Sequence, residues 1–270
     1  LPNLTPDVAE DIARGFVVWL SDRSGKKPED LTVAVGRDPR ISGKRLVQGM
    51  MNGFGPYGVK VYDCGLASTP AMFMTTVFPE FACDAGIMVT ASHLPYNRNG
   101  FKFFTAEGGL NKGDIAQILE YAADEEACRA KLGEPGNHDA RVRDFGKLVY
   151  PMVEGDVMTV YCDHLKNLIV KGADNGDRPL EGMKIVVDAG NGSGGFYAKR
   201  VLKPLGAAVS ASQFLEPDGM FLNHAPNPED RDAMNSIMTK VISSGADFGL
   251  IFDTDVDRSA AVDGKGREIA

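Results

Sequence analysis

The 270-residue sequence predicts an α/β protein of two consecutive domains, residues 1–148 and 149–270, each a mainly parallel mixed sheet flanked by helices. Three observations carry that prediction. Short apolar runs of strand length alternate with amphipathic stretches of helix length. The alternation occurs in both halves, with turn formers Gly133-Glu134-Pro135-Gly136-Asn137 between them. In each half one apolar run ends abruptly in polar residues, at the carboxyl end of a strand, where open α/β sheets collect ligands.

The first helix is expected over residues 6–20. Thr5 can cap it, Pro6 suits its first position and Asp7 favours its dipole. Leu31-Thr32-Val33-Ala34-Val35 reads as a buried strand, closed by Gly36-Arg37-Asp38-Pro39-Arg40. Ser42 is expected to cap a helix reaching Phe54, and Gly58-Val59-Lys60-Val61-Tyr62 is the next strand. Ser68-Thr69-Pro70 opens another helix, and a strand follows at residues 86–89. Ile115, Ile118, Leu119 and Ala122 predict a helix over residues 114–132.

A further amphipathic helix is expected over residues 150–170, and the domain junction is placed just before it. Lys184-Ile185-Val186-Val187 is a strand that runs into the glycine-rich loop Asp188-Ala189-Gly190-Asn191-Gly192-Ser193-Gly194-Gly195. A helix over residues 196–205, a strand over 207–210, a helix over 231–243 and a strand over 248–252 complete the second half. The glycine loop lacks the Walker pattern and the full dinucleotide fingerprint. A tight turn for close helix–sheet packing is its expected role, with a phosphate cradle as the alternative.

A net charge of −8 gives no electrostatic reason for a nucleic-acid partner, and no apolar stretch is long enough to span a bilayer. Cys64, Cys83, Cys128 and Cys162 lie far apart, with neither a close pair nor a Cys/His cluster. They read as reduced cysteines of an intracellular, cytoplasmic protein. An organellar location stays open, because the sequence starts at Leu1 and a targeting segment cannot be judged.

The chemistry concentrates in two loops. Ala85-Gly86-Ile87-Met88-Val89 stops at Thr90, and Ser92-His93 follow, so Ser92 is a candidate to carry a reacting group. Phe248-Gly249-Leu250-Ile251-Phe252 ends in Asp253-Thr254-Asp255-Val256-Asp257-Arg258. Three carboxylates spaced by two residues suit a hard cation, and Mg²⁺ fits best because phosphate can supply further oxygens. Together the loops suggest metal-assisted phosphoryl transfer. Taken singly, each residue has a plainer reading. Ser92 would be a turn serine, His93 an ordinary histidine, Lys102 a solvated lysine, and Arg37 and Arg40 partners in local ion pairs with Asp38. His138, His164 and His224 are expected to be ordinary surface or core histidines.

The ordered set Gly36-Arg37-Asp38-Pro39-Arg40, Thr90-Ala91-Ser92-His93, Asn99-Gly100-Phe101-Lys102, Asp188-Ala189-Gly190-Asn191-Gly192, Pro226-Asn227-Pro228-Glu229 and Asp253 to Arg258 resembles the α-D-phosphohexomutases over nearly the whole chain. The closest likeness is to the phosphoglucomutase/phosphomannomutase group. The resemblance implies that Ser92 is phosphorylated, gives its phosphoryl group to a hexose phosphate, and is rephosphorylated by the bisphosphosugar after that intermediate turns round. It implies Mg²⁺ held by Asp253, Asp255, Asp257 and the Ser92 phosphate, and glucose or mannose 1,6-bisphosphate as activator. It assigns proton transfer to Lys102 and Arg37, site-shaping to His93, and substrate or phosphate binding to Arg258 and Arg40. Leu94 stands where the family usually has Asn. Val256 stands where it commonly has Gly, and a β-branched residue resists positive φ, so an altered loop is expected there. The family's Gly-Glu-x-Ser-Gly sugar loop and Arg-x-Ser-Gly-Thr phosphate loop are not found in these 270 residues. The sequence is therefore expected to be the first two of four domains, with the missing C-terminal domains as its partner. Two other functions stay open: a non-catalytic binding or regulatory module derived from a mutase, and a phosphatase using Asp253 as nucleophile.

Overall fold

The computed structural model describes residues 4–134 and 156–269. Its first sheet contains β1 (Thr32–Arg37), β2 (Lys60–Leu66), β3 (Ala85–Val89), β4 (Phe101–Thr105) and β5 (Gly108–Gly109), in the order β2-β1-β3-β4-β5. β1 is parallel to both β2 and β3, whereas β3–β4 and β4–β5 are antiparallel. The two-residue alternation divides each central strand between two cores. Val33, Val35, Ile87 and Val89 face α1 (Pro6–Ser24) and α2 (Gly43–Phe54). Ala34 and Met88 face α3 (Thr69–Met74) and the first turns of α6 (Val157–Ala173). Burial on both faces is why β3 reads as an unbroken apolar run.

Thr5 caps α1 as expected, its Oγ1 accepting from the Val8 N–H at 3.2 Å. The α1–α2 approach is very close: a Cβ on Gly49 would stand 2.2 Å from the Pro6 carbonyl oxygen. Ser42 precedes α2 but makes no side-chain cap; its Oγ accepts from Asn99 Nδ2 at 2.9 Å and ties α2 to the serine loop. The helix expected over residues 114–132 is two helices, α4 (Lys112–Ala123) and α5 (Glu125–Leu132). The break comes at Asp124, whose carboxylate caps α5 by accepting from the Ala127 N–H at 2.9 Å.

The second sheet has the order β6 (Ile185–Asp188), β7 (Phe248–Phe252), β8 (Ser259–Asp263) and β9 (Glu268–Ile269). β6–β7 is parallel and the other pairs are antiparallel. The strand expected over residues 207–210 is reduced to isolated parallel bridges, Lys184 with Ala208 and Asp188 with Gln213. Side chains replace the ladder there, as Ser212 Oγ accepts from the Val187 N–H at 3.0 Å. The helix expected over residues 196–205 is a short wide π turn, Tyr197–Leu202, with Ala198, Val201 and Leu202 buried beneath it. α7 (Arg231–Ser244) covers the other face. The 148/149 junction, residues 150–155 of the helix expected over 150–170, and His138 lie outside the described residues. Among the described residues, no helix is long and apolar enough to cross a membrane.

At the end of β6, His224 is a core histidine. Its imidazole sits 3.0 Å from Asp188 Oδ1 on one nitrogen and 2.8 Å from the Ala225 carbonyl oxygen on the other. Both partners are acceptors, so the pair fits an imidazolium. Burial pulls the imidazole pKa down, but the hydrogen bond and charge of Asp188 outweigh it and the net shift is upward. The stability from that charge is fully present below the ordinary value of 6.5 and is lost as pH rises through the raised one. His224→Gln is therefore expected to cost roughly 1.5–3 kcal/mol at low pH and less at high pH. Thermal melts of both proteins from acid to alkaline pH check this, and a pH-independent difference would remove the imidazolium from the account.

Candidate active site

β3 and β7 each deliver a loop at their carboxyl ends, and hydrogen bonds join the two loops. Ser92 adopts a left-handed conformation, φ +50°. Its N–H donates to Thr90 Oγ1 at 2.9 Å, and that hydroxyl donates to Asp38 Oδ2 at 2.8 Å. Ser92 Oγ donates to Asp253 Oδ2 at 3.0 Å and accepts from Arg258 Nη2 at 2.9 Å. The candidate nucleophile thus meets an acid and a cation of the opposite domain. β4 supplies the third part. Its alternation sends Phe101 and Phe103 into one core and turns Lys102 the other way. Lys102 Nζ lies 2.7 Å from Asp255 Oδ2 and 2.6 Å from Asp257 Oδ2.

Asp253, Asp255 and Asp257 offer carboxylate oxygens that all lie within 4.8 Å of one another. Asp253 and Asp255 are fully buried. Burial, then the charge of Asp255, pushes the Asp253 carboxyl up to about 6, while Arg258 opposes the rise. Asp255 is held below the usual carboxylate range: burial works upward, but the charge and hydrogen bond of Lys102 outweigh it. Asp255 Oδ1 is buried and has no hydrogen-bond partner. Three hard oxygen donors, two of them desolvated and one with an unused oxygen, fit a small divalent cation.

Val256 takes φ +68°, a left-handed conformation that a β-branched residue resists. That conformation costs roughly 1–3 kcal/mol. Its side chain is buried with Ile185, Val187, Leu202 and Phe252, which offsets the strain. The glycine-rich loop braces this turn rather than cradling an anion. A Cβ on Gly192 would stand 2.8 Å from the Thr254 carbonyl oxygen, and the Ser193 N–H donates to that same oxygen at 2.8 Å.

Two expected site residues lie elsewhere. Arg40, expected to bind substrate or phosphate, is fully buried. Its Nε donates to Asp38 Oδ2 at 2.9 Å, Nη1 to the carbonyls of Pro95 and Arg98 at 2.6 and 3.1 Å, and Nη2 to the carbonyls of Ser92 and Leu94. A guanidinium has five N–H donors, and all are engaged, so none is left for a phosphate. The local pairing with Asp38 is the reading that holds. Arg37 stands at the end of β1 and donates to the Asp38 carbonyl at 3.2 Å. Among the described residues it makes no hydrogen bond to Ser92 or the aspartates. His93 is exposed and makes no side-chain hydrogen bond among the described residues. Sequence reasoning missed Thr90 and Thr69 as supports. Their only signal was a position beside a strand end or at a helix start. Asp38 was visible only as a local partner for arginine.

Comparison with known proteins bears on this arrangement. Residues 2–129 match the family model "Phosphoglucomutase/phosphomannomutase, alpha/beta/alpha domain I", and residues 159–266 match the corresponding domain II. A phosphoglucosamine mutase of Alkaliphilus oremlandii is 34% identical over 269 residues, covering 99% of this chain and 54% of the relative. A phosphoglucomutase/phosphomannomutase of Thermococcus kodakarensis is 33% identical, with 99% and 53% covered. The crystal structure of a phosphoglucomutase/phosphomannomutase family protein from Burkholderia thailandensis superposes with a TM-score of 0.77 at 28% identity, over 98% of this chain and 52% of that one. The chain spans about half the length of the curated relatives it matches.

Proposed function

Because the chain belongs to the α-D-phosphohexomutase family, we propose that it carries the phosphoryl-transfer centre of an enzyme interconverting hexose 1- and 6-phosphates. The observation that carries this reading is Ser92 Oγ, held between Asp253 and Arg258 of the opposite domain. The phosphorylated Ser92 gives its phosphoryl group to a hydroxyl oxygen of the sugar phosphate: the new O–P bond forms, the Ser92 O–P bond breaks, and the proton lost by the sugar hydroxyl is matched by one gained at the Ser92 oxygen. The bisphosphosugar then returns its other phosphoryl group to Ser92 and leaves as the isomeric monophosphate. Arg258, 2.9 Å from the serine oxygen, offsets charge on the transferring group. Lys102 is protonated where it stands, because Asp255 and Asp257 raise its pKa against burial. Any proton role for it therefore begins as a donor. Asp253, Asp255 and Asp257, with the Ser92 oxygen, would hold Mg²⁺, which when bound neutralises phosphoryl charge. Proton transfer by Arg37 and site-shaping by His93 rest on the family likeness alone, since among the described residues neither side chain bonds to Ser92 or the aspartates. Contacts that hold the sugar in two orientations are assigned to domains beyond the two matched here.

The phosphatase alternative would use Asp253 as its nucleophile. Its Oδ2 already accepts from Ser92 and Arg258, and its Oδ1 accepts from the Arg258 N–H at 3.1 Å. Oδ1 keeps a lone pair, so experiment separates the readings: a phosphatase would form an acid-labile aspartyl phosphate at Asp253 and a mutase an acid-stable phosphoserine at Ser92.

Calorimetric titration with Mg²⁺ tests the cation site. Asp255→Asn is expected to weaken binding by more than roughly 10-fold, and phosphorylation of Ser92 to tighten it. Equal affinity in all three forms would show the aspartate loop to be a solvated turn.

A further inference from the structure

The cation loop belongs to the second half of the chain, yet one of its carboxylates is aimed from the first. Thr69 is the first residue of α3 and is buried. Its N–H donates to the Asp255 carbonyl oxygen at 2.8 Å, and its Oγ1 donates to Asp255 Oδ2. Lys102 Nζ reaches that same Oδ2 from β4 at 2.7 Å. Both side-chain donors of the first domain therefore act on one oxygen, and Oδ1 is left buried and unused. A carboxylate held on one oxygen by two donors and through its own backbone carbonyl has little torsional freedom. The direction of the whole carboxylate, beside Asp253 and Asp257, is thereby fixed, and Oδ1 stays free to accept.

We propose that Thr69 is a positioning residue for the cation: it orients Asp255 from across the domain boundary, so that Mg²⁺ affinity depends on contact between the two halves. This rests on reading the three aspartates as the Mg²⁺ site. A hydroxyl that donates to a ligating carboxylate fixes the ligand's direction, and loss of such a partner typically weakens a metal 10- to 100-fold. Lys102 is unsuited to this task alone, because its flexible cationic head competes with the incoming metal for the same oxygens.

The test is Mg²⁺ titration by calorimetry on the full 270-residue chain in four forms: unaltered, Thr69→Val, Thr69→Ser and Asp255→Asn. Valine keeps the shape and the backbone N–H but removes the hydroxyl; serine restores it. The expected result is an affinity about 10- to 100-fold weaker for Thr69→Val, and within a few-fold of the unaltered chain for Thr69→Ser. Melting temperatures of the metal-free proteins are measured alongside. A Thr69→Val protein that melts lower but binds Mg²⁺ as before, or more tightly, would overturn the proposal, as the hydroxyl would then only brace the loop or compete with the ion. Failure of Thr69→Ser to restore affinity would overturn it too. If Asp255→Asn leaves binding unchanged, the Mg²⁺ site itself is wrong. If Asp255→Asn abolishes binding while Thr69→Val does not weaken it, only the role of Thr69 fails.

Discussion

Ser92→Ala is expected to abolish phosphoryl uptake by this chain and to lower mutase turnover of a full-length protein carrying it by about 10³-fold or more. The hydroxyl joins a residue of the first domain to two of the second, accepting from Arg258 and donating to Asp253. Alanine lacks that oxygen but should tolerate the left-handed backbone no worse than serine, so the fold should persist. Incubation with glucose 1,6-bisphosphate and Mg²⁺ should add one phosphoryl group to the unaltered chain, at Ser92, and none to the variant. Uptake by Ser92→Ala at an undiminished rate would place the carrier elsewhere, with Asp253 next in line. Acid stability of the modification separates the two, because a phosphoserine survives acid and an aspartyl phosphate does not.

The chemistry was legible in the sequence for a topological reason. Strands buried on both faces leave apolar runs with sharp ends, and the residues just past those ends must lie at one edge of the sheet. Ser92 and the three aspartates stand at such ends. Lys102 was visible only as part of a motif. What aims it at the aspartates is the two-residue alternation of β4, and Phe101-Lys102-Phe103-Phe104 does not announce itself as a strand. The strand expected over residues 207–210 breaks off because the chain turns there, the Ser212 N–H donating to the Val209 carbonyl, and Ser212 Oγ takes the Val187 N–H that a backbone carbonyl would have taken. Thr69 was read as part of a helix start, which it is. Its second bond crosses to a residue distant in sequence, and no local pattern encodes such a contact.

Arg40 shows the other limit. The sequence leaves Arg40 two readings, a local ion pair with Asp38 and, by family likeness, a phosphate ligand, because burial of a guanidinium leaves no periodic trace. In the structure it is the clasp of the serine loop. It joins the buried Asp38 carboxylate to four carbonyls, those of Ser92, Leu94, Pro95 and Arg98, and the ring of Phe221 lies over its guanidinium at 5.2 Å. Removing it leaves Asp38 charged, fully buried and without its cation. Burial already pushes the Asp38 carboxyl upward, and Arg40 is the main force opposing that rise. Arg40→Ala is therefore expected to destabilise the protein by about 3–5 kcal/mol, a fall in melting temperature on the order of 10 °C. Arg40→Lys keeps the charge but cannot span five acceptors, so an intermediate loss is expected. Asp38→Asn in the Arg40→Ala background should recover part of the loss, because the stranded charge is gone even though the carbonyls remain unpaired. The competing assignment makes the opposite forecast. A phosphate-binding Arg40 would leave the melting temperature nearly unchanged on mutation to alanine and weaken inorganic phosphate binding instead. Thermal melts with and without phosphate decide between them, and unaltered stability of Arg40→Ala would return the residue to the substrate.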